Sequence, residues 1–306
     1  MKGARIYRSA LYIPGNNPGM IQHCPYFGAD SVILDLEDAV ATTEKDAARK
    51  LVSLFLEALD FSDTGVVVRV NGAHTPYFEK DLWAVVPKAP DALRIPKCES
   101  PQDIKAADDM ITEIEIQCGI PKGKVKIHAM IESALGVERA YEIAQASPRV
   151  EALTLGGQDL LADYGVQKTK EGHELFYPRT RVVSAAKASG LLAFDTVWTD
   201  ISDLEGLKKE SKMICELGFT GKAAIHPSQV PIIHDAFKPD CKEVQKARRI
   251  VESSKRALSL GIGVFSVDGR MVDAPVIKRA EHLLKLAELY PEFRSNESQG
   301  GRCDRV

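Results

Sequence analysis

Eight short apolar runs, spaced at fairly even intervals, limit what this chain can become. They are "YRSALYIPG", "DSVILDLED", "GVVVRVNG", "ALRIPKCES", "KVKIHAMIES", "EALTLGGQD", "LLAFDTVWT" and "GKAAIHPS", lying between Tyr7 and Ser228. Each is rich in strand-forming residues and is followed by turn chemistry, then by a helical pattern. Amphipathic stretches between them include "EKDAARKLVSLFLEAL", "SPQDIKAADDMITEIEIQ" and "DLEGLKKESKMICELG", the last ending on Gly218 as a helix C-cap should. Strands alternating with helices predict a parallel sheet with right-handed crossovers. Eight such units predict an α/β fold of the closed (β/α)8 barrel type, with an open doubly wound sheet as the competing architecture. No glycine-rich phosphate loop follows the first strand, which counts against a dinucleotide site.

The pattern changes after the eighth run. "CKEVQKARRIVESSKRALSLG" predicts a charged helix, "IGVFSVDGRMVDAP" a hairpin with an Asp-Gly turn, and "VIKRAEHLLKLAELY" a closing helix. The expected organisation is a catalytic barrel over 1–238 and an extension over 239–293 that packs on the barrel or a neighbouring subunit. Residues 294–306 read as a disordered tail. The chain of 306 residues carries a formal net charge of −3, without the clustered basic surface that a nucleic-acid partner requires. The apolar run near the amino terminus breaks at Pro14 and Gly15, too early for a signal peptide, and no run is long enough to span a membrane. Six cysteines without CxxC or Cys/His metal spacing read as free thiols, and the expected compartment is the cytoplasm.

In such a barrel, chemistry belongs at the carboxyl ends of the strands. In order, those ends offer Pro14/Gly15, Asp35/Glu37/Asp38, Arg69/Asn71, Lys97/Glu99, Glu132, Asp159, Thr199/Asp200 and His226. Glu132 and Asp159 lie one strand–helix unit apart and so close adjacent strands. Strand spacing of about 4.8 Å lets two such carboxylates share one cation. Few protein ligands with positions open to water and substrate is the habit of Mg2+. The competing reading makes both acids helix N-caps, a role for which Glu is a poor choice.

Arg69 ends a buried strand and needs an anion, either a substrate or the acids of "DLED". Lys97 fits a Schiff-base lysine or, preferably, a salt-bridge partner of Glu37 or Glu132. His226 reads as a ligand-binding or a structural histidine, and His128, inside a strand, as core. The basic helix "KARRIVESSKRAL" reads first as a solvated face, then as a dock for an acidic carrier or CoA phosphates.

Taken together, "RSALYIPG", "GADSVILDLEDAV", "KDAARK", "VVRVNG", "IPKCES", "AMIESALGVERAYEIA", "LGGQD", "AFDTVWTDISDLEGL", "GFTGKAAIHPSQ" and "GRMVDAPVI" resemble the beta subunits of citrate lyase and their HpcH/HpaI aldolase, malyl-CoA lyase and citramalyl-CoA lyase relatives. The resemblance runs from about residue 7 to 290. It implies a (β/α)8 barrel assembled as trimers or hexamers, using Mg2+ to cleave or form a carbon–carbon bond between a 2-oxo acid and an acyl thioester. It implies Glu132 and Asp159 as metal ligands, Arg69 as the thioester- and enolate-binding arginine, and Asp273 as an acid/base group reaching a neighbouring subunit's site. Asp35, Glu37 and Asp38 match an acidic cluster near the metal's waters, with Asp35, Pro14 and Gly15 expected against substrate and Glu37 and Asp38 in catalysis.

The expected reaction is cleavage of a citryl thioester, on CoA or an acyl carrier protein, to oxaloacetate and an acetyl thioester. Candidate partner proteins are the alpha and gamma subunits of citrate lyase. Rival readings are a malyl-CoA or citramalyl-CoA lyase releasing glyoxylate or pyruvate, a metal-free aldolase working through Lys97, and an idle subunit that only binds acyl carriers.

Overall fold

A computed structural model describes residues 6–169, 171–259, 264–290 and 293. These fall into two compact units, one from Tyr7 to Phe237 and one from Lys238 onward that also includes Ile6. In the first unit eight parallel strands close into a barrel: β1 (Ser9–Pro14), β2 (Ser31–Asp35), β3 (Gly65–Arg69), β4 (Ala92–Ile95), β5 (Lys126–Ile131), β6 (Val150–Leu155), β7 (Leu192–Asp195) and β8 (Gly221–Ala224). Each strand pairs with the next, and β8 returns to β1 through Ser9↔Lys222.

Alternation along the strands decides what each residue packs against. Leu11, Ile13, Val32, Leu34, Val68, Leu93 and Ile95 join the core formed with the helices. Ala10, Ile33, Val67, Ala92, Ala152 and Phe194 pack in a separate cluster that fills the barrel. The small alanines make room for the Phe194 ring, which stacks on His128 at 5.7 Å between centroids. His128 is therefore core, with Glu151 at 3.5 Å.

The predicted helices form at Lys45–Ala58, Pro101–Gln117 and Leu204–Leu217. Pro101 begins the second of these, and Asp103 accepts from the Ser100 N–H at 2.8 Å. Gly218 ends the third at φ 99°, the left-handed conformation its position demands. The seventh strand is shorter than its apolar run suggests. It stops at Asp195, because that carboxylate turns to Arg179 and Lys222. Thr199 and Asp200 instead lie on an exposed turn, where Asp200 accepts from the Ser202 N–H.

The second unit contains a helix over Cys241–Ser259, a hairpin of β9 (Phe265–Val267) and β10 (Arg270–Val272), and a helix over Ala274–Ala287. Asp268 and Gly269 both take positive φ, 52° and 74°, as the expected Asp-Gly turn requires. Ala247, Ile250, Val267, Val272 and Ala280 make its small core. Cys24, Cys98 and Cys118 are free thiols, but Cys241 is disulfide-bonded, contrary to the expectation for all six. The tail from Arg294 lies outside the described residues. Among those residues, no helix is long and apolar enough to cross a membrane.

Candidate active site

The carboxyl ends of the strands surround a cavity of about 230 Å3, bordered by Tyr12, Arg69, Arg94, Thr154 and Asp159 among others. A second cavity of about 650 Å3 is lined by Lys97, Glu132 and Arg139 and shares Asp159 with the first. Thus Asp159 borders both spaces, and Glu132, from the neighbouring unit of the barrel, borders the second.

Glu132 follows β5 directly and is buried at 3% exposure. Its Oε1 accepts the Lys97 backbone N–H at 2.7 Å, while Oε2 is buried without a hydrogen-bond partner. Burial, and then the nearby charges of Asp159 and Glu37, push its carboxyl up to about 8. That is an arrangement a cation would relieve. Neither acid is a helix N-cap. Ser133 and Gly156 occupy those positions, and Asp159 sits in the first turn of the helix Gly157–Tyr164. Gly156 allows the close approach of this turn, since a Cβ there would collide with Glu132 Oε2 and lie 2.6 Å from the Glu132 Cβ. Among the described residues no group of three His, Cys, Asp or Glu side chains could hold a metal. Two carboxylates with an orphaned oxygen fit Mg2+ completed by water and substrate.

Arg69 faces the acids that precede it. Asp35 and Arg69 are register partners, and the guanidinium grips the carboxylate with both prongs, Nε to Oδ1 at 2.7 Å and Nη2 to Oδ2 at 2.6 Å. Asp35 also accepts from the N–H groups of Glu37 at 2.9 Å and Ala39 at 3.2 Å. Its oxygens are thereby committed to the arginine and to its own turn. Arg69 Nη1 approaches Glu37 Oε2 at 2.9 Å as an ion pair without hydrogen-bond alignment, and donates to Asp38 Oδ2 at 3.3 Å. One N–H of Nη2 is left over from these contacts.

The turn itself is pinned by Lys45, whose Nζ donates to the carbonyls of Leu36 and Glu37 at 2.7 and 2.6 Å. Burial raises the Glu37 carboxyl to about 7, although Arg69 opposes it. Three acids in four positions are therefore tolerable because one buried arginine serves them all.

Lys97 Nζ lies 3.6 Å from Glu37 Oε1. Burial would lower its pKa, but Glu37 and Asp159 override that and raise it, so the amine stays protonated rather than poised for a Schiff base. Its φ of 55° aims its N–H at Glu132. Gly15 is buried against the Asp35 carbonyl, from which a Cβ would stand 2.5 Å, and neither it nor Pro14 borders either cavity. His226 is exposed and paired with Ser228 Oγ at 2.7 Å. Asp273 belongs to the second unit, where its Oδ1 caps the helix Ala274–Ala287 by accepting from the Val276 N–H at 3.2 Å.

Tyr12, Arg94 and Thr154 border the first cavity but do not stand out in the sequence. They lie inside apolar runs, two or three positions before the turn residues that mark strand ends. Strand parity is the signal that finds Arg94, since it shares the face of Ala92, which packs inside the barrel.

Comparison with known proteins places these features in a lineage. The chain is 40% identical to the citrate lyase subunit beta of Leuconostoc mesenteroides subsp. cremoris over 287 residues, 94% of this chain and 95% of that one. It is 35% identical to an L-malyl-CoA/beta-methylmalyl-CoA lyase of Cereibacter sphaeroides, covering 94% and 96% of the two chains. The crystal structure of protein CitE from Mycobacterium tuberculosis, in complex with magnesium, acetoacetate and coenzyme A, superimposes with a TM-score of 0.75 at 32% identity, over 93% of this chain and 98% of that one. Residues 8–227, which carry the whole barrel and the Glu132–Asp159 pair, match one family along their full length, and the chain belongs to the HpcH/HpaI aldolase/citrate lyase family.

Proposed function

We infer that this chain cleaves the carbon–carbon bond of a citryl thioester, on CoA or an acyl carrier protein, to give oxaloacetate and an acetyl thioester, with Mg2+ as cofactor. The observation that carries the reading is the pair Glu132 and Asp159 lining one cavity, with the buried Glu132 Oε2 left unpartnered. The 40% identity to a citrate lyase subunit beta, and the fold shared with a protein in complex with magnesium and coenzyme A, support it. The malyl-CoA relative, at 35% identity, defines the alternative, a malyl-CoA or citramalyl-CoA lyase releasing glyoxylate or pyruvate.

Glu132 and Asp159 would hold the cation, which when bound supplies Lewis-acid polarisation of the substrate's carboxylate and hydroxyl oxygens. Arg69 donates to the thioester carbonyl oxygen as that oxygen gains charge, the service of an oxyanion donor. Asp35 acts through Arg69, fixing the plane of its guanidinium. Glu37 and Asp38 balance its other edge, and exposed Asp38 orders water beside it. Asp273 is assigned the hydroxyl proton, delivered from a neighbouring copy in a trimer or hexamer. The resemblance carried by "GRMVDAPVI" and the half-buried carboxylate, with one oxygen spent on capping, support that role. That the Leuconostoc relative is a subunit beta supports assembly with further subunits; alpha and gamma partners are proposed, and the compartment proposed is the cytoplasm.

The test is a panel of citryl-, malyl- and citramalyl-CoA with Mg2+ and with chelator. Citryl-CoA should turn over fastest, stop on chelation and resume when Mg2+ is restored. Full turnover in excess chelator, or faster cleavage of another thioester, would overturn the reading.

A further inference from the structure

Nothing in the reaction above uses Arg94. It lies on β4 in register with Arg69 on β3, and it is 1% exposed. The two neighbouring arginines live in opposite circumstances. Arg69 meets three carboxylates, whereas no carboxylate among the described residues pairs with Arg94. Arg94 Nη1 donates to the Tyr12 hydroxyl at 2.9 Å, and its guanidinium lies 5.5 Å from the centre of the Tyr12 ring. Nε and Nη2 are buried without hydrogen-bond partners.

A guanidinium does not deprotonate in a protein, so this is a fixed positive charge in a poorly solvated wall. Attraction to the tyrosine ring offsets only part of its desolvation. The same cavity is bordered by Thr154, whose buried Oγ1 also lacks a partner, and by Asp159.

We propose that Arg94, with Tyr12 and Thr154 on the same cavity wall, receives the second carboxylate of the oxo acid and so selects citryl over malyl and citramalyl thioesters. The proposal rests on the lyase reading given above. Oxaloacetate carries one carboxylate beside its keto group, suited to the cation held by Glu132 and Asp159, and another at its far end. Glyoxylate and pyruvate present hydrogen or methyl in place of that far arm. Against Arg94 those groups leave the charge desolvated and unpaired, so the wall penalises the wrong substrate as well as rewarding the right one. Arg69 is unsuited to this task, because Asp35, Glu37 and Asp38 already hold it.

Arg94→Met removes the charge at similar length, and Arg94→Lys keeps the charge without the planar fork. Two readouts are needed: kcat/KM for citryl-CoA and citramalyl-CoA with Mg2+, and calorimetric binding of oxaloacetate and pyruvate, which requires no turnover. In Arg94→Met the citryl-to-citramalyl ratio and the oxaloacetate-to-pyruvate ratio should each fall by about 10- to 150-fold, the worth of hydrogen bonds to a charged group. Arg94→Lys should fall between. The Tm of Arg94→Met without ligand should hold or rise, because an unpaired buried charge is gone.

Equal losses on both substrates, or unchanged ratios as expected if water alone meets Nε and Nη2, would overturn the proposal. If the wild-type chain fails to cleave citryl-CoA, the lyase reading falls while calorimetry still decides on Arg94. A preference for oxaloacetate that vanishes in Arg94→Met sustains the subsite, and one that is absent from the wild type or survives the substitution refutes it.

Discussion

Glu132 shows at the scale of one residue how a functional acid is kept at the expense of stability. Its carboxylate is buried, one oxygen has no partner, and burial with two neighbouring acids raises it to about 8. Glu132→Gln keeps an acceptor for the Lys97 N–H and removes the charge. At pH 8.5, where the wild-type group is ionised, the metal-free variant should melt at least about 2 °C higher, by the usual conversion of a kcal/mol into Tm. Added Mg2+ should no longer raise its Tm. A lower Tm would mean that the carboxylate is structural. Gly156 tests the same site from the other side. Its φ of −96° suits any residue, so what requires glycine is space beside Glu132 and the Met130 methyl, 2.8 Å from a built Cβ. Gly156→Ala should displace the carboxylate and weaken Mg2+ binding by roughly tenfold or more, in the range of lost support around a metal ligand. Calorimetric titration with Mg2+ reads this directly, and wild-type affinity would show that the helix start yields instead.

Between elements, a buried cluster of charge pairs sets where β7 ends. Asp195 closes β7 and binds Arg179 from the helix Phe176–Ala188 and Lys222 from β8, with Glu210 completing the cluster. Burial would raise the Asp195 carboxyl, but Arg179 and Lys222 override it and hold it below the usual aspartate range. An unfolded aspartate titrates near about 3.9, so this depressed group stabilises the fold above that pH, and its contribution is lost progressively as pH falls below it. Denaturant unfolding from pH 6 to pH 3 should therefore show a steeper loss in the wild type than in Asp195→Asn. The variant should itself be less stable at pH 7 by about 3–5 kcal/mol, the cost of breaking a buried pair from one side. Parallel pH profiles would assign the acid sensitivity elsewhere. The same cluster marks a limit of reading elements from sequence. All eight strands are legible as apolar runs because burial on both faces leaves that imprint. The end of β7 is not, since "FDTVW" hides a strand-ending acid among residues that would equally continue the strand. Arg94 is hidden for the same reason, while "DLED" and "GGQD" are visible because turn residues flank them.

At the scale of the whole molecule, the candidate groups are divided between two units. Tyr7–Phe237 carries Arg69, Glu132 and Asp159, and the unit after it carries Asp273. A capping aspartate needs no other purpose, because accepting the Val276 N–H stabilises the helix Ala274–Ala287 by about 1 kcal/mol. The proposed acid/base role asks more of it, namely that Asp273 of one copy serve the barrel mouth of another, so that assembly becomes a condition of activity. Asp273→Asn retains an acceptor for the cap, and a loss of turnover in that variant at unchanged Tm would separate the proton-transfer role from capping. Its dependence on a neighbour is then read by mixing. Asp273→Asn and Glu132→Ala chains, each inactive alone, are exchanged into shared oligomers that contain some sites with an intact Glu132–Asp159 pair from one chain and an intact Asp273 from the other. Activity should return in part and in proportion to exchange. Hetero-oligomers that demonstrably form and stay inactive would place Asp273 in its own subunit's chemistry, or outside the chemistry altogether.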